Sequence, residues 1–295
     1  MADIPEILID PSAGFCFGVD RAVKMAEEYL SGHGKLLALG SLVHNESEVE
    51  RLSDRGLEVI HHEQLSNLKN NTVLLRAHGE PPDTYREAAK NNITLLDGTC
   101  PVVLKLQEKI ARSWEKLQKT DGQLIIVGKK RHPEVAGLNG KINGKALIVE
   151  NEQDLEEIRT DCPTEVYSQT TIMSGEYDRI TKLISDKMAA SGNSGQLIIH
   201  RSVCGQVAGR DKKLAGFSRS VEVMIFVSGK NSSNGKALFE VCRRNQPASY
   251  KITVPDDIRP EWFSGKKKIG ISGATSTPVW LLEKVKERIN TLVCI

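Results

Sequence analysis

The feature that most constrains this chain is a punctuation repeated along its length: a short apolar run, then a polar turn, then residues at helical spacing. Nine runs follow this rule: ILI, LLALGSLVHN, TVLLRAHGEPP, ITLLDGTC, QLIIVGKKRHPEVAG, EVYSQTT, LII, VMIFVSGKNSSN and KIGISGATSTP. Buried strands alternating with helices predict parallel sheets joined by right-handed crossovers, hence an α/β fold. In such folds ligands collect beyond the carboxyl ends of the strands. The polar residues here follow the apolar runs, so they fall at that end.

Three runs lead to a cysteine and then a helical stripe. Ile7-Leu8-Ile9 leads through Gly14 to Cys16, with Val19, Ala22, Val23, Ala26 and Leu30 behind it. Ile93 to Leu96 leads through Gly98 to Cys100, with Pro101, Val103, Leu106, Ile110 and Trp114 following. Leu197-Ile198-Ile199 leads to Cys204, then Val207 and Leu214. Each reads as buried strand, tight turn, cysteine, amphipathic helix, and Pro101 suits a first helical position. The cysteines are 84 and 104 residues apart, each interval the size of a small α/β unit. The reading predicts three similar units, 1–97, 98–195 and 196–295, with functional edges facing a common centre. SGNSG at 191–195 is the most linker-like stretch.

Composition closes off other classes. The 295 residues carry a net charge of +2, with 26% charged and 39% hydrophobic side chains, which excludes a disordered chain. Balanced charge and 5% aromatics argue against a nucleic-acid binder. Lys266, Lys267 and Lys268 read as a solvated loop entering a strand. No apolar run approaches the roughly 18 residues of a membrane span, and MADIPEILID lacks the order of a signal peptide. The expectation is a cytoplasmic protein without a membrane or nucleic-acid partner. There is no CxxC pair, no GxxxxGK[ST] loop and no GxGxxG fingerprint, so zinc fingers, ATP and dinucleotides are disfavoured.

Three cysteines at strand ends suit either ordinary buried thiols or metal ligands, and three thiolates would leave one iron of a [4Fe–4S] cluster open. Three of the seven histidines, His44, His78 and His132, stand in strand-end turns, where they suit an anion site and proton store. Glu134 follows His132-Pro133 and, if shielded from water, could donate a proton. The turns Ser168 to Thr171, Lys230 to Asn234 and Thr275 to Pro278 supply hydroxyls and amides. Each alone is a helix cap; together they suit a phosphate cradle.

On GFCFGVDRAV, LGSLVHNESEV, RAHGEPP, DGTCPVV, GKKRHPEVAGLNG, SQTT, GKNSSN and ATSTP, the chain resembles the 4-hydroxy-3-methylbut-2-enyl diphosphate reductases. The motifs run in the family's order from Cys16 to Pro278. The resemblance implies a three-lobed α/β fold around a [4Fe–4S] cluster held by Cys16, Cys100 and Cys204. It implies a diphosphate gathered by His44, His78, Ser232, Ser233, Asn234 and Ser276, a pocket lined by His132 and Thr171, and protons from Glu134. Electrons would come from ferredoxin or flavodoxin. Cys162, Cys242 and Cys294 match no motif and are expected to be buried or peripheral thiols. The third cysteine segment departs from the family's TICNATQNRQ pattern: it reads SVCGQVAGRDK, keeping the cysteine and Arg210. A non-catalytic binding protein with a structural three-cysteine metal site, and a related reductase of another substrate, are the rival readings.

Overall fold

The computed structural model describes residues 5–293, without the side chain of Ser233; Cys294 lies outside them. Among the described residues there are twelve strands: β1 Glu6–Ile9, β2 Leu36–Leu39, β3 Leu57–Ile60, β4 Thr72–Leu75, β5 Thr94–Asp97, β6 Gln123–Val127, β7 Leu147–Val149, β8 Thr164–Ser168, β9 Leu197–Ile199, β10 Val223–Val227, β11 Ser249–Ile252 and β12 Lys268–Gly273. They form three four-stranded sheets, ordered β1-β12-β10-β11, β3-β2-β4-β5 and β7-β6-β8-β9. Pairings are parallel, with Ile7 opposite Ile269, Leu39 opposite Leu75 and Val127 opposite Ser168. The fold is α/β, as the strand–helix alternation predicts.

The three sheets share one topology. Numbering strands within each sheet by connection gives the order 2-1-3-4, and the fourth strand, an edge, is the one leading to a cysteine. In the first sheet that fourth strand is β1, supplied from the N-terminal end of the chain. Two expectations change here. The expected units began with their cysteines, but β1 pairs with β12 and β9 pairs with β8, so each sheet finishes on its cysteine strand. A strand, turn and helix look alike in sequence whether the helix covers its own sheet or the next. The helix Pro101–Leu117 covers the next: its Leu106, Ile110 and Leu117 pack with Leu124, Ile126 and Tyr167 of β6 and β8. The three cysteine strands are also not buried. As edges they are half-open, with Ile198 at 53% and Ile199 at 38% exposure.

The central strands are the buried ones, and alternate side chains face opposite layers. In the third sheet Leu124 and Ile126 pack under Val135 and Leu138 of helix Pro133–Gly140. Ile125, Val127 and Val166 pack under Tyr177, Ile180 and Ile184 of helix Ser174–Ala190. The helices after β6 and β8 thus lie on opposite faces. The first sheet repeats the arrangement: Met224 and Phe226 meet Leu238 and Cys242 of helix Ser233–Asn245. Val223, Ile225 and Ile271 meet Leu281, Val285 and Ile289 of helix Val279–Val293. Neighbouring strands whose helices diverge leave a crevice at their carboxyl ends, the topological switch point. Among the described residues no helix is long and apolar enough to cross a membrane.

By compactness the chain divides into two units. A terminal unit comprises Met1–Leu36, Ser41–Val59 and Gly209–Ile295, and a middle unit Leu37–Gly40 and Ile60–Ala208. The site residues are described within each.

Candidate active site

In the middle unit, the turns after β6 and β8 face each other at a switch point. His132 caps helix Pro133–Gly140: its Nδ1 accepts the Glu134 N–H at 3.2 Å, leaving Nε2 to carry the ring proton. Pro133 occupies the first helical position, where no N–H is needed. That geometry turns the Glu134 carboxyl inward, where it is 1% exposed. Both its oxygens meet one residue: Oε1 accepts the Thr170 N–H at 2.6 Å and Oε2 the Thr170 hydroxyl at 2.9 Å. Burial pushes the Glu134 pKa up to about 7, against the opposing pull of these two hydrogen bonds. A carboxyl group here is therefore partly protonated at neutral pH.

The His78 ring lies edge-on to the His132 ring, centroids 5.1 Å apart. Its turn is tight. Gly79 has φ +73°, and a Cβ there would sit 2.9 Å from Gln107 Nε2 and 3.0 Å from Thr99 Cγ2. Thr171, expected to line the pocket, accepts a hydrogen bond on its hydroxyl from Gln169 Nε2 at 2.6 Å. The residue on Glu134 is Thr170. The SQTT turn thus holds two adjacent hydroxyls, and the path of the chain leaving β8 turns that of Thr170 to Glu134.

In the terminal unit the turns after β10 and β12 meet in the same way, with neutral groups. Ser232 Oγ accepts the Gly235 N–H at 3.0 Å as a helix cap, which leaves its own proton available to a ligand. Asn234 Oδ1 faces the Thr275 N–H at 3.3 Å and hydroxyl at 3.2 Å, so its amide NH₂ is turned to other partners. Ser276 Oγ donates to the His44 carbonyl at 3.3 Å. The same carbonyl passes so close to Gly229 that a Cβ there would lie 2.3 Å away, which is why the GKNSSN turn opens with glycine. Glu46 then accepts the Lys230 N–H at 3.1 Å. His44, Ser232, Asn234 and Ser276 are thus linked through three turns. The Ser233 side chain lies outside the described structure.

The thiols sort by burial. Cys16 and Cys100 are the caps of 17-residue helices, their side chains make no capping hydrogen bond, and both are half-buried. Cys204 is also half-buried, its N–H held by the Thr170 carbonyl at 2.8 Å. Cys162 and Cys242 are 3% and 0% exposed, and burial pushes the Cys242 thiol up to about 12. Metal ligands must be reachable, and the first three are more open than these two. The middle unit carries Cys100 and Cys204, and the terminal unit Cys16. Among the described residues, no three His, Cys, Asp or Glu side chains are grouped as a metal site.

A family model described as LytB protein matches residues 7–290 of this chain. The chain belongs to the LytB family. Its relatives within it include the 4-hydroxy-3-methylbut-2-enyl diphosphate reductase of Parabacteroides distasonis, 42% identical over 287 residues, covering 97% of this chain and 98% of that protein. The Bacteroides fragilis protein of the same name is 42% identical over 288 residues, with 98% of each chain covered. A solved structure described as (E)-4-hydroxy-3-methyl-but-2-enyl diphosphate reductase, the terminal enzyme of the non-mevalonate pathway, matches with TM-score 0.73 at 34% identity. It covers 97% of this chain and 99% of that one. The corresponding Plasmodium falciparum reductase, at 24% identity and TM-score 0.82, shares the fold. In this chain the three half-buried cysteines follow the edge strands β1, β5 and β9.

Proposed function

We propose that the chain is a reductase of 4-hydroxy-3-methylbut-2-enyl diphosphate. Two electrons and two protons remove the C4 hydroxyl as water and give isopentenyl and dimethylallyl diphosphate. The observation that carries the proton chemistry is Glu134: a fully buried carboxyl near pKa 7, held on both oxygens by one threonine. Cys16, Cys100 and Cys204 would hold a [4Fe–4S] cluster, which when bound supplies the electrons and an open iron that polarises the C–O bond. Ferredoxin or flavodoxin would reduce it.

The residues of the chain do the rest. Thr170 N–H can only donate, so Glu134 Oε1 stays an acceptor and the carboxylic proton sits on Oε2. From there it passes to the Thr170 hydroxyl, which can accept it while giving up its own to the leaving oxygen. His132, fixed by its bond to Glu134 N–H, presents Nε2–H as a donor, and Thr171 lines the same turn. His44, His78, Ser232, Ser233, Asn234 and Ser276 would hold the diphosphate, positioning the reacting carbon from a distance.

Serine at each cysteine tests the cofactor assignment. Cys16→Ser, Cys100→Ser and Cys204→Ser should each lose most iron and nearly all turnover of the diphosphate with a chemical reductant. Cys162→Ser and Cys242→Ser should keep both. A colourless wild-type protein after anaerobic purification, or an active Cys100→Ser, overturns the reading.

A further inference from the structure

We infer that Arg210 is a positioning residue for the cofactor: a buried guanidinium that ties the Cys16 turn to the turn after β12 and places a fixed positive charge beside that ligand. The inference rests on the cluster reading above.

Arg210 opens the helix Arg210–Arg219 yet is only 7% exposed. Its Nη1 donates to the Gly14 carbonyl at 3.3 Å and its Nη2 to the Gly273 carbonyl at 2.7 Å, while Nε is buried with no partner. One carbonyl lies two residues before Cys16 and the other three residues before Ser276. A third link joins the same turns, from Cys16 N–H to the Thr275 carbonyl at 3.3 Å. The Cys16 turn has little room to relax otherwise, since Gly14 has φ +112° and a Cβ there would sit 3.0 Å from Val279 Cγ2. Arginine's planar fork suits two carbonyls on separate segments, which a lysine ammonium bridges less well.

The charge is the second part. Burial works against the guanidinium's charged form, and the charges facing it are Asp10 and Cys16. Asp10 is itself 4% exposed, taking hydrogen bonds from Ser12 at 2.8 Å and from the Ser272 hydroxyl at 2.8 Å. For packing alone, an apolar side chain of similar volume would serve at lower desolvation cost. A cation fixed in low dielectric beside a thiolate ligand favours the reduced cluster, which carries one more negative charge, and so raises its reduction potential.

The test measures cluster midpoint potential by anaerobic redox titration, with iron and sulfide content determined on the same samples. Arg210→Gln should shift the potential downward. Asp10→Asn, which leaves the guanidinium less compensated, should shift it upward, and Arg210→Lys should restore the wild-type value. In cluster-free protein, amide exchange at Cys16 should accelerate in both Arg210 variants, since neither keeps the two-carbonyl fork. If Arg210→Gln fails to fold, the upward shift in Asp10→Asn and the exchange of Arg210→Lys carry the test. Fully loaded variants that all share the wild-type potential overturn the inference and leave the cluster reading standing. Wild-type protein that holds no iron overturns both.

Discussion

Two crevices in this molecule occupy the same topological position and do opposite things. At the β6/β8 switch point a carboxyl group is sealed from water against one threonine; at the β10/β12 switch point an asparagine and two serines present neutral donors. Sheet order and helix placement are shared. The fold therefore fixes where a functional group stands, and the identity of two or three residues fixes whether the crevice holds a buried carboxyl group or presents neutral donors. Burial is what separates them. Glu134 gains its raised pKa from desolvation, whereas the serine and asparagine groups gain nothing by titrating and act only by direction.

The sharpest way to break this comparison is to make the proton-storing crevice neutral. Glu134→Gln keeps the shape and accepts from Thr170, but holds no transferable proton. Turnover should fall by on the order of 10²–10⁴ with cluster content intact. Thr170→Val, which keeps the N–H and loses the hydroxyl, should fall in the same range because the proton path is cut. Steady-state rates alongside iron content separate this from a folding defect. Wild-type turnover in Glu134→Gln would remove that residue from the chemistry.

The same carboxyl group must show itself in stability. Its folded pKa of about 7 stands above the unfolded value of 4.5, so the folded state binds the proton more tightly. The stabilisation from that proton is complete below about pH 4.5 and is lost as pH rises through about 7. The shift corresponds to roughly 3 kcal/mol at most. Glu134→Gln cannot titrate. Relative to wild type its melting temperature should therefore rise between pH 5 and pH 8, measured on cluster-free protein. A constant difference across that range would mean Glu134 is not desolvated.

How much of the comparison was legible beforehand follows from the same physics. The apolar runs and the turns that follow them are local, so every functional turn could be placed at a strand's carboxyl end from sequence. The shared grammar around Cys16, Cys100 and Cys204 was equally plain, and their half-burial against buried Cys162 and Cys242 follows from it. Sheet membership was not legible. Whether Ile7 pairs with Ile269 or with the strands that follow it is a long-range choice, and the apolar pattern is compatible with both. Thr170 against Thr171, and the carbonyls that Arg210 reaches, depend on chain direction at single residues, which no periodicity encodes.

In the anion-receiving crevice the expected loss is smaller and falls on binding. Asn234→Ala removes one donor to a charged group, worth about 1.5–3 kcal/mol, so KM for the diphosphate should rise by about 10- to 100-fold. The fall of kcat should be slight, because the proton path lies in the other crevice. His44→Ala should behave likewise. A variant that lost kcat and kept KM would show that the two crevices do not divide binding from proton transfer.

The smallest change sharpens the comparison by altering Thr170 without removing its chemistry. Thr170→Ser keeps both the N–H on Glu134 Oε1 and a hydroxyl for Oε2, and deletes only a methyl group from a site 4% exposed. Losing one buried methyl costs on the order of 1 kcal/mol of stability, so the melting temperature should drop by a few degrees. Turnover should stay within about threefold of wild type, since the proton still has its oxygen to cross. Because the serine hydroxyl still stabilises the carboxylate, the pH at which the rate declines should remain near 7. In Thr170→Val that support is gone, so burial acts with less opposition and any residual activity should decline at higher pH than in wild type. If Thr170→Ser instead lost activity as Thr170→Val does, the methyl group rather than the hydroxyl would be what the crevice needs, and the path from Glu134 would have to run elsewhere.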